Sequence, residues 1–176
     1  MLVTICERMR TETSLKIKSR DELAAVRKQL LQQNKAVVFT NGCFDILHRG
    51  HVEYLQQSRE MGDALIVGLN SDDSVTRLKG RGRPLLPQED RAFLLASLMA
   101  VDYVCIFEED TPAQLIRALQ PDILIKGGDY QVHEIVGRDV VEGRGGKVVT
   151  VPLLPNRSTS DIIRKIVTLT KQGIFT

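Results

Sequence analysis

Five short apolar runs constrain the fold of this chain more than any other feature. They are "KAVVFTN" (35–41), "ALIVGLN" (64–70), "DYVCIF" (102–107), "DILIKG" (122–127) and "KVVTVPLL" (147–154). Runs this short and this continuously apolar read as strands buried on both faces, the condition of a parallel sheet. Parallel neighbours need a crossover connection, and helices normally supply it. Helix-like segments stand between most of the runs: "HVEYLQQSREM" (51–61), "PQEDRAFLLASLM" (87–99) and "TPAQLIRALQ" (111–120), with "STSDIIRKIVTLTK" (158–171) closing the chain. Thr111 is the expected cap of the third, with Pro112 in its first turn. The segment 70–87 reads as one long polar connection. The expected fold class is α/β: a Rossmann-like, doubly wound parallel sheet of about five strands with helices on both faces. Ligands then belong beyond the carboxyl ends of the strands.

Ahead of the first strand, "SRDELAAVRKQLLQQ" (19–33) reads as a helix. Ser19 and Glu22 make a capping box, and Leu23, Val26 and Leu30 share one face. Residues 1–18 form the expected variable end, and 19–176 the domain. Net charge is +2, and the only dense basic run is "RLKGRGRP" (77–84). A nucleic-acid or membrane-surface binder would show a basic stripe, so neither partner is expected. No apolar stretch approaches the ~20 residues that cross a bilayer, and the first residues carry no signal pattern. Three cysteines, Cys6, Cys43 and Cys105, have no paired spacing. They read as reduced thiols of a cytoplasmic protein, with Cys105 in the core.

Two of the three histidines, His48 and His51, sit three residues apart in "GCFDILHRGH" (42–51). That stretch joins the first strand to the following helix. Gly42 permits a tight turn, and Gly50 and His51 open the helix. A helix N-terminus carries unpaired N–H groups and partial positive charge, which favour phosphate. Imidazole N–H groups placed there could stabilise charge that builds in a transition state. Simple capping is a plainer reading. A zinc site with Cys43 would need a fourth ligand, and the spacing fits no common structural site.

The same stretch resembles the signature of the nucleotidyltransferase superfamily, Gly-x-Phe-Asp followed by His-x-Gly-His. "VGLNSDDSVTRLKGRGRPLLPQEDRAFLLASLMAVDYV", "PDILIKGGDY" and "RSTSDIIRKI" are similar to the heptose 1-phosphate adenylyltransferases that make ADP-heptose for lipopolysaccharide. The likeness runs from about Ser19 to Ile166. It implies transfer of AMP from ATP to a sugar 1-phosphate, with release of pyrophosphate and with Mg²⁺ entering on ATP. It further implies a homo-oligomer. In many bacteria a sugar kinase shares the chain, and this one reads as a stand-alone transferase.

The resemblance assigns roles. His48, His51 and Lys79 would be catalytic. Thr40, Asn41, Gly42, Cys43, Phe44 and Gly50 would meet the nucleotide. So would Gly127 and Asp129 of "KGGDY", and Ser158, Thr159 and Ser160, the hydroxyls expected at the β- and γ-phosphates. Ser160 stands where threonine is frequent. Capping by Ser158 is compatible with that use. Asp45 either orients the histidine loop or binds substrate. Arg83 would meet the sugar phosphate, and Arg91 is a substrate contact or a surface charge. His133 has no partner and reads as exposed. The alternatives are a glycerol-3-phosphate cytidylyltransferase, a flavin adenylyltransferase, or a nucleotide sensor without activity.

Overall fold

Each apolar run forms a strand. A computed structural model describes residues 12–128, 131–152, 154–155 and 157–175. The elements run α1 (Arg20–Gln32), β1 (Val37–Gly42), α2 (Arg49–Arg59), β2 (Ala64–Asn70), α3 (Asp72–Lys79), α4 (Gln88–Ala96) and β3 (Tyr103–Phe107). Then follow α5 (Ala113–Leu119), β4 (Ile123–Gly127), a 3-10 turn (Val132–Glu134), α6 (Arg138–Glu142), β5 (Lys147–Val151) and α7 (Thr159–Lys171). The five strands are parallel, in the order β3-β2-β1-β4-β5. The chain builds outward from β1 to β3, then crosses back to lay β4 on the other side of β1. That reversal opens a crevice beyond the carboxyl ends of β1 and β4.

Alternate residues of the strands feed two cores. Val38, Leu65, Val67 and Ile125 pack with Tyr54 and Leu55 of α2 and with Leu95 of α4. Val37, Phe39, Ile66 and Leu124 pack on the opposite face with Leu23 of α1, with Leu115 and Leu119 of α5, and with Val141 of α6. Gly68 of β2 is small for a reason: a Cβ there would stand 2.8 Å from Phe39 Cζ. The amino edge of the sheet is closed by carboxylates. Asp63 accepts from Ala36 N, Asp102 from Leu65 N and Asp122 from Val37 N, at 2.7–2.8 Å. Polar groups at that edge are paired, so the carboxyl edge carries the open chemistry.

Several expectations change in detail. The connection after Asn70 is not one loop, because α3 occupies Asp72–Lys79. Ser71 caps it, accepting from Ser74 N, and Asp72 and Asp73 supply acid in its first turn. These cap signals were present, but Val75 and Leu78 alone make too thin an apolar stripe. Helix α2 begins at Arg49 with His48 as its cap residue. Thr111 is not the cap of α5, which is Pro112. Capping by Ser158 at α7 and the capping box of Ser19 and Glu22 are both present. Ile17 bridges Val104, and Val104 N donates to Lys16 O at 2.9 Å, so ordered pairing precedes Ser19. Cys105 is buried and His133 exposed. Cys6 lies outside the described residues.

Candidate active site

A cleft of about 510 Å³ lies over the carboxyl ends of β1, β2 and β4. That is the scale of small-molecule sites, roughly 300–1,000 Å³. The first strand ends under it. Thr40 does not reach the cleft: it is fully buried, its hydroxyl 2.5 Å from Tyr54 Oη. Asn41, Gly42, Cys43, Phe44, Asp45 and His51 do line it. Phe44 takes a left-handed backbone (φ 43°), an uncommon conformation that concentrates at functional loops. Its ring folds back against Gly42, where a Cβ would lie 3.0 Å from Phe44 Cε2.

His48 and His51 stack at the start of α2, ring centroids 3.8 Å apart and planes 21° apart. Phe44 meets His51 edge-on at 5.1 Å. Gly50 is the space that His48 needs, since a Cβ there would stand 3.1 Å from His48 Nδ1. Burial, and then the neighbouring His48, pull the His51 ring down to about 4. Burial lowers His48 as well. Burial thus favours the neutral form of both rings, against a smaller opposing pull on His51 from a hydrogen bond to the Ile46 backbone. Nδ1 of each is buried without a hydrogen-bond partner. A buried polar atom left unpaired costs free energy, so a ligand that supplies its partner is favoured.

The opposite helix end converges on the same place. Thr159 Oγ1 of α7 donates to Ile46 O at 3.3 Å, tying that N-terminus to the signature loop. Thr159 and Ser160 line the cleft. Ser158 is taken up in capping: its Oγ accepts from Asp161 N and donates to Asp161 Oδ2. Gly127 ends β4, and Gly128 (φ 106°) donates its N–H to Val151 O at 3.0 Å. Asp129 lies outside the described residues.

The basic segment frames the mouth. Lys79, at the C-terminus of α3, is exposed and faces the cleft. Arg83 also lines it, but its Nε donates to Asp45 Oδ2 at 2.5 Å. Asp45 is 1% exposed at its side chain and also accepts from Leu85 N (2.7 Å) and Leu86 N (3.2 Å). Asp45 thus holds the 83–86 loop against the signature loop while also lining the cleft. Arg91 is neither a surface charge nor open to substrate. It is fully buried and donates to Leu86 O, Cys43 O, Asn70 O and Asp72 Oδ1 at 2.6–3.0 Å. A helix that starts just after this loop turns Arg91 inward, as a clamp on three backbone carbonyls.

Lys126 was missed by sequence reasoning. It lines the cleft, and its Nζ donates to Asn41 Oδ1 at 3.2 Å. The available signal was a lone charge ending the otherwise apolar "DILIKG", at the switch point of the sheet. Asp110, Thr111 and Glu134 also line the cleft. They come from loops distant in sequence and carry no motif. Burial raises the Cys43 thiol despite Lys79, Arg91 and Arg83 nearby, so it stays protonated and unsuited to nucleophilic attack. Among the described residues no group of three or more His, Cys, Asp or Glu side chains is gathered for a metal.

Residues 39–165 match the family model described as cytidylyltransferase-like. The chain is 51% identical to the bifunctional protein HldE of Syntrophotalea carbinolica, over 92% of this chain and 33% of that protein. It is 54% identical to HldE of Geobacter sulfurreducens, over 88% of this chain and 32% of that protein. The chain thus spans about a third of the length of these relatives. A lipopolysaccharide core biosynthesis protein from Thermoplasma volcanium is a structural neighbour (TM-score 0.56, 30% identity), covering 68% of this chain and 97% of that one. Pantoate-beta-alanine ligase of Francisella tularensis aligns with TM-score 0.56 over 88% of this chain and 78% of its own, and at 16% identity it shows shared fold alone.

Proposed function

The chain belongs to the cytidylyltransferase-like family, and from that premise we propose that it transfers AMP from ATP to a heptose 1-phosphate, releasing pyrophosphate and forming an ADP-heptose. The observation that carries the reading is the pair of stacked imidazoles at the head of α2, of which His51 lines a cleft edged by Lys79 and Arg83 and His48 stacks behind it. The choice of heptose rests on "KGGDY", "RLKGRGRP" and "RSTSDIIRKI", and on the likeness to HldE and to a lipopolysaccharide core protein.

The chemistry is one in-line displacement. An oxygen of the acceptor phosphate attacks the α-phosphorus, the bond to the bridging oxygen breaks, and pyrophosphate leaves. Phosphoryl-type transfer asks the protein for positioning and charge stabilisation, with no covalent intermediate. His48 and His51 donate N–H groups to phosphate oxygens as charge shifts toward the leaving group. The N-termini of α2 and α7, with Thr159 and Ser160, receive the β- and γ-phosphates. Lys79 is a mobile cation at the mouth. Mg²⁺ enters as part of the nucleotide substrate.

The reading includes a cytoplasmic enzyme that works as a homo-oligomer. Among the described residues no helix is long and apolar enough to cross a membrane. Ile166, Val167, Ile174 and Phe175 expose apolar surface on and after α7, the kind of patch that oligomers bury. Sedimentation at micromolar concentration tests this point, and a monomer throughout would remove it.

The activity is tested by pyrophosphate release with Mg²⁺, crossing ATP and CTP against heptose 1-phosphate, glycerol 3-phosphate and flavin mononucleotide. Release with ATP and heptose 1-phosphate alone is expected. Release with another pair would keep the histidine chemistry and change the substrate. Silence in all wells with intact ATP binding would favour the sensor.

A further inference from the structure

The pleat of the sheet divides the cleft into two sides. Phe39 of β1 pairs with Leu124 of β4, and both side chains enter the core beneath α1 and α5. Two residues further along each strand, the same phase brings Asn41 beside Lys126, on that same face. The 3.2 Å contact between Lys126 Nζ and Asn41 Oδ1 confirms the register. Helix α2, which carries His48 and His51, packs on the opposite face through Tyr54 and Leu55. Lys126 and the histidines thus approach the crevice from opposite sides of the sheet.

In-line displacement needs the entering oxygen opposite the leaving one. The helix N-termini and the histidines form the pyrophosphate side. The acceptor phosphate must then arrive from the side of Lys126. The same cleft is lined by Asp110, Thr111 and Glu134. Their side-chain oxygens can accept hydrogen bonds from a hydroxyl-bearing acceptor. Asp110 pairs with Arg77 at 2.6 Å.

Resting on the adenylyltransferase reading, we infer that Lys126, steered by Asn41, binds the phosphate of the acceptor and holds its attacking oxygen in line with the α-phosphorus. Lys126 undergoes no covalent change and takes no proton. The acceptor oxygen forms the new bond to phosphorus, and pyrophosphate carries away the electron pair of the broken one. A half-buried ammonium loses water that a phosphate can replace, so the contact is stronger than at an open surface. Burial pulls Lys126 below the ordinary lysine range, and Lys79 adds to that shift. An arriving phosphate dianion opposes that shift by favouring the charged form.

The test is steady-state kinetics of the whole chain, wild type against K126M, K126Q and K126R, with ATP and heptose 1-phosphate varied in turn. K126M and K126Q should raise KM for the acceptor by roughly 10- to 100-fold, the scale of one charge-assisted hydrogen bond. KM for ATP should stay within about twofold, and K126R should recover part of the acceptor affinity. Inorganic phosphate should compete with the acceptor in wild type and bind at least tenfold more weakly to K126M, read by calorimetry with a non-hydrolysable ATP analogue present. An unchanged acceptor KM, or a loss confined to ATP, overturns the inference. So does a phosphate affinity that K126M leaves intact. A wild-type enzyme silent with heptose 1-phosphate would instead overturn the proposed function, and the phosphate titration would still read Lys126. If K126M fails to fold, K126Q and K126R carry the comparison.

Discussion

Arg83 Nε donates to Asp45 Oδ2 at 2.5 Å, and this contact ties the basic loop to the signature loop across 38 residues of sequence. The same carboxylate accepts two backbone N–H groups, from Leu85 and Leu86. One buried side chain thus organises the wall that carries a candidate phosphate cation.

Replacing Asp45 by alanine strands Arg83 and two N–H groups. Removing one partner of a largely buried pair costs about 3 kcal/mol. Chemical denaturation should show a loss of that order, and turnover should fall with it. In a double-mutant cycle with R83A, a coupling above about 1 kcal/mol is expected. Additive effects would show that the contact organises nothing.

His48→Ala and His51→Ala should each lower kcat by ~10²-fold or more, with little change in melting temperature. The double variant should lose less than the product of the two, because the rings act as one stacked unit. Near-wild-type turnover in both single variants would remove the histidines from the chemistry.

The His51 ring also predicts a pH dependence of stability. It titrates near 4 when folded, against an ordinary 6.5. With the folded value depressed, the unfolded chain takes up the proton first as pH falls. The contribution is whole above pH 6.5 and is lost progressively toward pH 4. For a partly exposed ring the loss is at most about 3 kcal/mol. Denaturation at pH 7.5 and 5 should show wild type losing more stability than His51→Asn. Equal losses would place the ring in an ordinary environment.

Two glycines separate activity from stability. At Gly50 an added methyl meets His48 Nδ1 at 3.1 Å, so Gly50→Ala should displace the ring and cut turnover while the fold survives. At Gly68 the methyl meets Phe39 Cζ at 2.8 Å inside the sheet. Gly68→Ala should cost about 1–3 kcal/mol of stability, the scale of overpacking in a core, and lower turnover less than Gly50→Ala does. Parallel thermal melts and kinetics would expose a reversal of this pattern.

What the sequence determined by itself was short in range. The five apolar runs set strands in a parallel sheet, because burial on both faces leaves no other use for them. The strand-to-helix joint set His48 and His51 at the head of α2, because a helix start is a local signal, while their stacking followed from His48 standing as the extended cap residue. Cap signals at Ser19 and Ser158 were local too. The tertiary structure decided everything that depended on register and on which loops meet. Thr40 and Arg91 stand near the signature in sequence or family pattern, yet the pleat turns the first toward Tyr54 and packing turns the second onto Cys43 O. Asp45 found its role only when residues 83–86 closed over it. Lys126 reached the cleft only when β4 paired with β1, 85 residues from its partner Asn41. No local period encodes such pairings, because they are fixed by the free energy of closing the whole sheet around two cores.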